Sequence, residues 1–200
     1  MSEQNPANIL NQLIRQRRSV KTSMFNQQHV DEGIIHQMLE NARWAPTHGM
    51  TEPWRFFVFT GEGLEQLAEF QSALYRSSVD AKNFNENKFI KLKTTPLKAS
   101  HVIMIGMKRQ LNGKIPESEE ICAVACAVQN MMLTATAYGI GSYWSTGGMT
   151  YHQEMKNYLG LEEADRCMGM LYIGNYDARE ITSTRSPIME KTRWVTGLYA

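Results

Sequence analysis

Three arginines, a serine and a lysine fall within seven residues in Arg15-Gln-Arg-Arg-Ser-Val-Lys21. Guanidinium forks and an ammonium at that density suit a phosphate group or the polar edge of a cofactor ring. A solvated basic helix end, favoured there by the helix dipole, has the same composition, so the cluster does not decide between the two alone. Elsewhere the chain offers little protein chemistry: there is no nucleophile elbow, no P-loop and no histidine pair at metal spacing. Gly139-Ile-Gly141-Ser-Tyr-Trp144 carries only two glycines of a dinucleotide fingerprint and follows a helical pattern rather than a strand, so it is rejected. Without an evident nucleophile or acid–base pair, any reaction must be carried by a cofactor.

The elements that would position the cluster follow from periodicity. Ile9, Leu10, Leu13 and Ile14 make a helical stripe over about residues 7–16, delivering the basic residues at its C-terminal end. Asp31 caps a second helix that stops near Ala45, before Pro46. Pro46-Thr-His-Gly-Met-Thr-Glu-Pro53 is a loop held between prolines, and Trp54-Arg-Phe-Phe-Val-Phe59 is a strand by its aromatic content. A helix runs to about Tyr75, and residues 77–95 are polar enough to read as a loop with a helical turn or a mobile flap. His101-Val-Ile-Met-Ile-Gly-Met107 is a buried strand, and Glu117 to Tyr138 is the longest and most apolar helix. A strand over Gly141 to Ser145, a helix opened by a capping box of Thr150 and Gln153, and a strand over Met168 to Gly174 follow. Beyond them lies an extended tail containing Arg185 and Pro187, long enough to leave the body and pair with a sheet edge of its own or a partner subunit. The order implies one domain over 1–200, an α/β or α+β sandwich around a single sheet.

Composition narrows the function. The 21 basic against 20 acidic residues give a net charge of only +1, which argues against general nucleic-acid affinity and polybasic membrane attachment. The polar N-terminus has no signal-peptide order, and Gln129, Asn130, Thr134 and Thr136 interrupt the apolar run of the long helix, so no membrane span and a cytoplasmic location are expected. The odd count of three cysteines fits a reducing compartment. Cys122, Cys126 and Cys167 read as core residues rather than metal ligands, as do Tyr143, Met149 and Met170.

Taken in order, Arg17-Arg-Ser-Val-Lys21, Ala45-Pro-Thr-His48 leading to Pro53-Trp54, Tyr143-Trp-Ser-Thr-Gly-Gly148 and Arg185-Ser-Pro187 make a set that resembles the FMN-dependent nitroreductase family, in particular its short bacterial members. The resemblance implies an α+β nitroreductase-like fold with a central, mostly antiparallel sheet flanked by helices. It also implies a homodimer with FMN at the subunit interface and an exchanged C-terminal extension. Arg17 and Ser19, with Arg18 beside them, match positions that hold the FMN phosphate and ribityl chain; Lys21 matches the residue reaching the pyrimidine edge, and is the catalytic candidate. Trp44, Pro46, Thr47 and His48 would come from the partner chain, although each tryptophan alone reads as core and His48 alone as a surface group. Trp144, Ser145, Thr146 and Gly147 match the stretch along the flavin's other edge, and Arg185 the tail arginine returning to the phosphate. The implied activity is NAD(P)H-driven reduction of nitroaromatics, quinones or similar acceptors by ping-pong hydride transfer. Flavin cleavage or dehalogenation on the same fold, and a non-catalytic anion-binding module, are the alternatives. The chain departs from the family at Met50 and Glu52, where many members carry Asn and Gln, so an amide that could bond the flavin's polar edge is missing from that loop.

Overall fold

A computed structural model describes residues 5–177 and 181–197. Ten principal elements run in the order α1 (Pro6–Gln16), α2 (Glu32–Ala42), β1 (Trp54–Thr60), α3 (Glu62–Ser78), α4 (Glu86–Thr94), β2 (His101–Met107), α5 (Glu117–Ala137), β3 (Gly141–Ser145), α6 (Gln153–Tyr158) and β4 (Arg166–Gly174). The four strands form one sheet in the order β1-β2-β4-β3, every pair antiparallel. The fold is therefore the α+β arrangement expected.

Alternation along the central strands divides the core in two. Ile103, Ile105 and Met107 point to one face with Leu171 and Ile173 of β4, against α2 and α5. Val102 and Met104 point to the other with Met170 and Tyr172, against α3, Leu92 of α4 and the α6 region. Every residue of β2 is buried, which is why its sequence is an unbroken apolar run after His101. α5 has the length and hydropathy of a membrane span, yet it packs as a core helix, with Val124, Ala127, Val128, Met131 and Ala135 fully buried.

Several local expectations are corrected. Residues 77–95 are not a loose flap: Asn85 caps α4 by accepting from the Lys88 N–H at 3.0 Å, and α4 lies on α3. Phe84 and Phe89 hold that contact, with Phe84 5.5 Å from the Tyr75 ring and Arg76 stacked 4.3 Å over Phe89. The cap of α6 is His152, whose Nδ1 accepts from the Glu154 N–H at 3.1 Å, and not Thr150, which is buried and donates to Gly147 O at 2.7 Å. Cys122 and Cys126 are exposed on α5, and only Cys167 is core. The two thiols sit on the helix face turned away from the sheet, a distinction that a nearly all-apolar helix conceals.

Residues 181–197 are exposed almost throughout, with one short turn at Ile188–Lys191. Ile188, Met189, Trp194 and Val195 are each at least 60% exposed, an apolar content this chain alone does not bury.

Candidate functional site

The basic segment is locked to the end of the sheet. The Val20 N–H donates to Ser142 O at 2.9 Å, the Asn26 N–H to Asn175 O at 2.9 Å, and Phe25 bridges to Tyr176. This close approach depends on glycine: a Cβ on Gly174 would lie 2.6 Å from the Phe25 ring, and one on Gly141 3.0 Å from Val20. Val20 and Phe25 thereby seat residues 17–26 beside β3, and Lys21 comes to face the residues that follow it.

There a cavity of about 720 Å³ opens between the sheet end, α3 and α4. Lys21, Thr22 and Ser23 form one wall, Tyr143, Ser145, Gly147 and Gly148 another, with Met170 and Tyr172 behind. Lys88, Lys91 and Lys98 add positive charge from the α4 side, and among the described residues no carboxylate lines the space. Gly148 has φ +71°, and a side chain there would begin 3.0 Å from Leu92 and 3.1 Å from Gln71 Oε1, so its absence lets those two residues pack directly against the turn. Tyr143 stacks on Tyr172 at 6.3 Å, and burial pushes the Tyr172 phenol well above its ordinary range, keeping it neutral. Tyr143 and Met170, read as core from sequence, are cavity wall.

The arginines meet nearby. Burial first, then the charges of Arg185 and Arg18, depress the Arg17 guanidinium below its ordinary value. Arg17 and Arg185, 168 positions apart in sequence, are thus close enough to repel, and among the described residues neither forms an ion pair with a carboxylate. Like charges brought together without a counter-ion are stabilised by an anion. Arg18 does something else: its Nε donates to Ile181 O at 2.9 Å and its Nη1 to Arg17 O at 3.0 Å, tethering the start of the tail. Ser19 is exposed beside them.

The remaining sequence candidates lie apart from this cavity. Trp44 is 72% exposed, with its indole N–H donating to Glu40 at 3.1 Å. Pro46 is exposed, Thr47 Oγ1 accepts from the Glu52 N–H at 3.2 Å, and His48 Nδ1 pairs with Glu119 at 2.5 Å. Met50 and Glu52 both have positive φ, 54° and 43°, a conformation costly for side chains of their kind. Trp144 donates its indole N–H to Met168 O at 3.0 Å and packs against the core, so of that strand's end it is Ser145 and the backbone after it that reach the cavity. Thr146 is exposed at the same turn.

Sequence reasoning missed Gln71. It sits on α3, 1% exposed, at the cavity wall, and neither its amide oxygen nor its amide nitrogen has a partner. Each such group costs about 1–3 kcal/mol when water cannot reach it. A signal was present: Leu64, Leu67, Ala68, Leu74 and Tyr75 form the buried stripe of α3, and position 71 falls within it.

A model of the nitroreductase family matches residues 14–175. The chain belongs to the nitroreductase family. Among nitroreductase relatives, the Escherichia coli (strain K12) protein named "Putative NAD(P)H nitroreductase YdjA" is 30% identical over 162 residues, 81% of this chain and 85% of that protein. A crystal structure of a nitroreductase-like family protein from Bacillus cereus is 27% identical, covers 98% of this chain and 99% of its own, and superposes with a TM-score of 0.78. The fold is shared at 20% identity with the FMN-dependent nitroreductase NfnB of Mycobacterium smegmatis, solved in complex with NADPH, at a TM-score of 0.74 over 96% of this chain and all of that one. Nitroreductase membership thus rests on the whole described body from the end of α1 to the end of β4.

Proposed function

We propose that the cavity between Lys21, Gly148 and α4 is the FMN site of an NAD(P)H-dependent oxidoreductase that reduces nitroaromatic, quinone or similar electron-poor acceptors. The observation that carries this reading is the cavity itself: Lys21 on one wall faces the Ser145 to Gly148 turn on another, Lys88, Lys91 and Lys98 line it from the α4 side, and among the described residues no carboxylate does. The residues fit the cofactor: Arg17 and Arg185 suit its phosphate, Lys21 suits the ring's pyrimidine edge, and the Ser145 to Gly148 turn suits its other edge. The naming of YdjA as an NAD(P)H nitroreductase and of NfnB as FMN-dependent supports both the cofactor and the donor.

When bound, FMN supplies hydride-accepting and hydride-donating chemistry, so donor and acceptor use one face in turn. The protein's part is positioning and electrostatics. Arg17 and Arg185 hold the phosphate with Ser19 at the ribityl chain, while Arg18 fixes the tail that carries Arg185. Lys21 keeps a positive charge at the pyrimidine edge, favouring the anionic reduced ring. Trp44, Pro46, Thr47 and His48 serve the site of a second subunit in a homodimer, supported by their distance from this chain's own cavity and by the exposed apolar residues of the tail.

The purified protein is expected to be yellow, to release FMN on denaturation and to oxidise NADPH in the presence of a nitrofuran. A colourless protein that cannot be reconstituted with FMN would overturn the reading.

A further inference from the structure

Gln71 is the best-buried polar side chain on the cavity wall, and the chemistry assigned so far gives it nothing to do. Its donor and its acceptor are both sealed from water and both unpaired. Its Oε1 lies against Gly148, whose neighbours there are otherwise the apolar Leu92 and Met170, and no hydrogen bond reaches it. A buried amide in this state is poised for a ligand that offers an acceptor and a donor side by side.

We propose that Gln71 is a flavin-binding residue, its carboxamide pairing with the imide edge of the isoalloxazine ring, the N3–H and an adjacent carbonyl. The proposal rests on the reading of the cavity as the FMN site. Gln71 occupies the same wall as Gly147 and Gly148, with Lys21 on the wall formed by the basic segment, so an imide edge held between them meets the amide. The helix position is fixed by Leu67, Leu74 and Tyr75 in the core, while the terminal torsion of a glutamine is soft, so the amide turns to a ring without α3 moving. Gln71 thereby supplies from α3 the amide that the loop at Met50 and Glu52 lacks.

The test pairs a side-chain change with a ligand change. Gln71→Met keeps the volume and removes both polar atoms; 3-methyl-FMN keeps the ring and removes the N3–H. Dissociation constants are read by quenching of flavin fluorescence on apoprotein, and apoprotein stability by thermal melting. Wild type is expected to bind FMN about tenfold more tightly than 3-methyl-FMN, whereas Gln71→Met binds both alike and FMN about tenfold more weakly. The variant apoprotein is expected to melt no lower than wild type, because an unpaired buried amide has been replaced by an apolar group. Discrimination kept in Gln71→Met, or absent in wild type, overturns the assignment. So does unchanged FMN affinity with a raised KM for NADPH, which would give the amide to the nicotinamide carboxamide, and so does a lower melting temperature, which would mark a packing role. If wild type itself takes up no FMN, the flavin reading of the cavity fails and Gln71 with it.

Discussion

The sharpest consequence of the core for behaviour in solution concerns His101. It begins β2, is 1% exposed, lies 5.1 Å from the His29 ring and shares a 2.9 Å hydrogen bond between its Nδ1 and Ser100 Oγ. Burial, then the facing His29, lower its pKa from 6.5 to about 4, with Glu32 opposing in part. A histidine depressed in the folded state is protonated more readily when unfolded, so it favours folding fully above pH 6.5 and that contribution disappears as pH falls through about 4. The gap between the two values corresponds to about 3 kcal/mol in all, of which about 2 kcal/mol is lost by pH 5. Replacement by a residue that does not titrate removes this loss whatever it does to stability at neutral pH. Urea denaturation of wild type and His101→Gln at pH 7.5 and pH 5 gives the comparison: wild type should lose about 2 kcal/mol more than the variant between them. Equal losses would show that His101 is not held neutral by its surroundings.

Three further outcomes bear on the site. Arg17→Ala should weaken FMN about tenfold or more while leaving riboflavin affinity unchanged, since only the phosphate is lost to it; fluorescence titration with both ligands decides, and equal effects would remove Arg17 from the phosphate. Lys21→Ala should slow flavin reduction by NADPH in stopped flow more than it loosens FMN, and an unchanged rate would count against the electrostatic role of that charge. Gly148→Ala meets both a φ of +71° and Leu92 at 3.0 Å, so it should cost about 1 kcal/mol or more of stability in denaturation and displace Leu92 and Gln71 packed against the turn; normal stability would mean that the wall yields more easily than its packing suggests.

What the sequence disclosed, and what it withheld, follows from where the information lies. β2 was legible to the residue because both of its faces are buried, and α2 because Asp31 caps it onto an apolar stripe. α4 was not, since its sequence is mostly Lys, Asn and Glu; its helix is secured by an Asn85 cap and by Phe84 and Phe89 meeting α3, contacts that exist only in three dimensions. The same holds for the cavity. Spacing and family order singled out Lys21, Ser145 and Gly147 and drew Arg185 back toward Arg17, but nothing in the chain's order says that Tyr143 and Met170 face space rather than core. Gln71 was overlooked because glutamine on an amphipathic helix ordinarily marks the solvent side, and here it lies on the other.

The Arg18 tether to Ile181 holds the start of the segment that carries Arg185, four residues downstream, so the proposed phosphate grip joins residues far apart in the sequence. In that proposed site, retention of FMN depends on the tail staying docked, and loss of cofactor would report undocking of residues 181–185 ahead of any unfolding of the sheet.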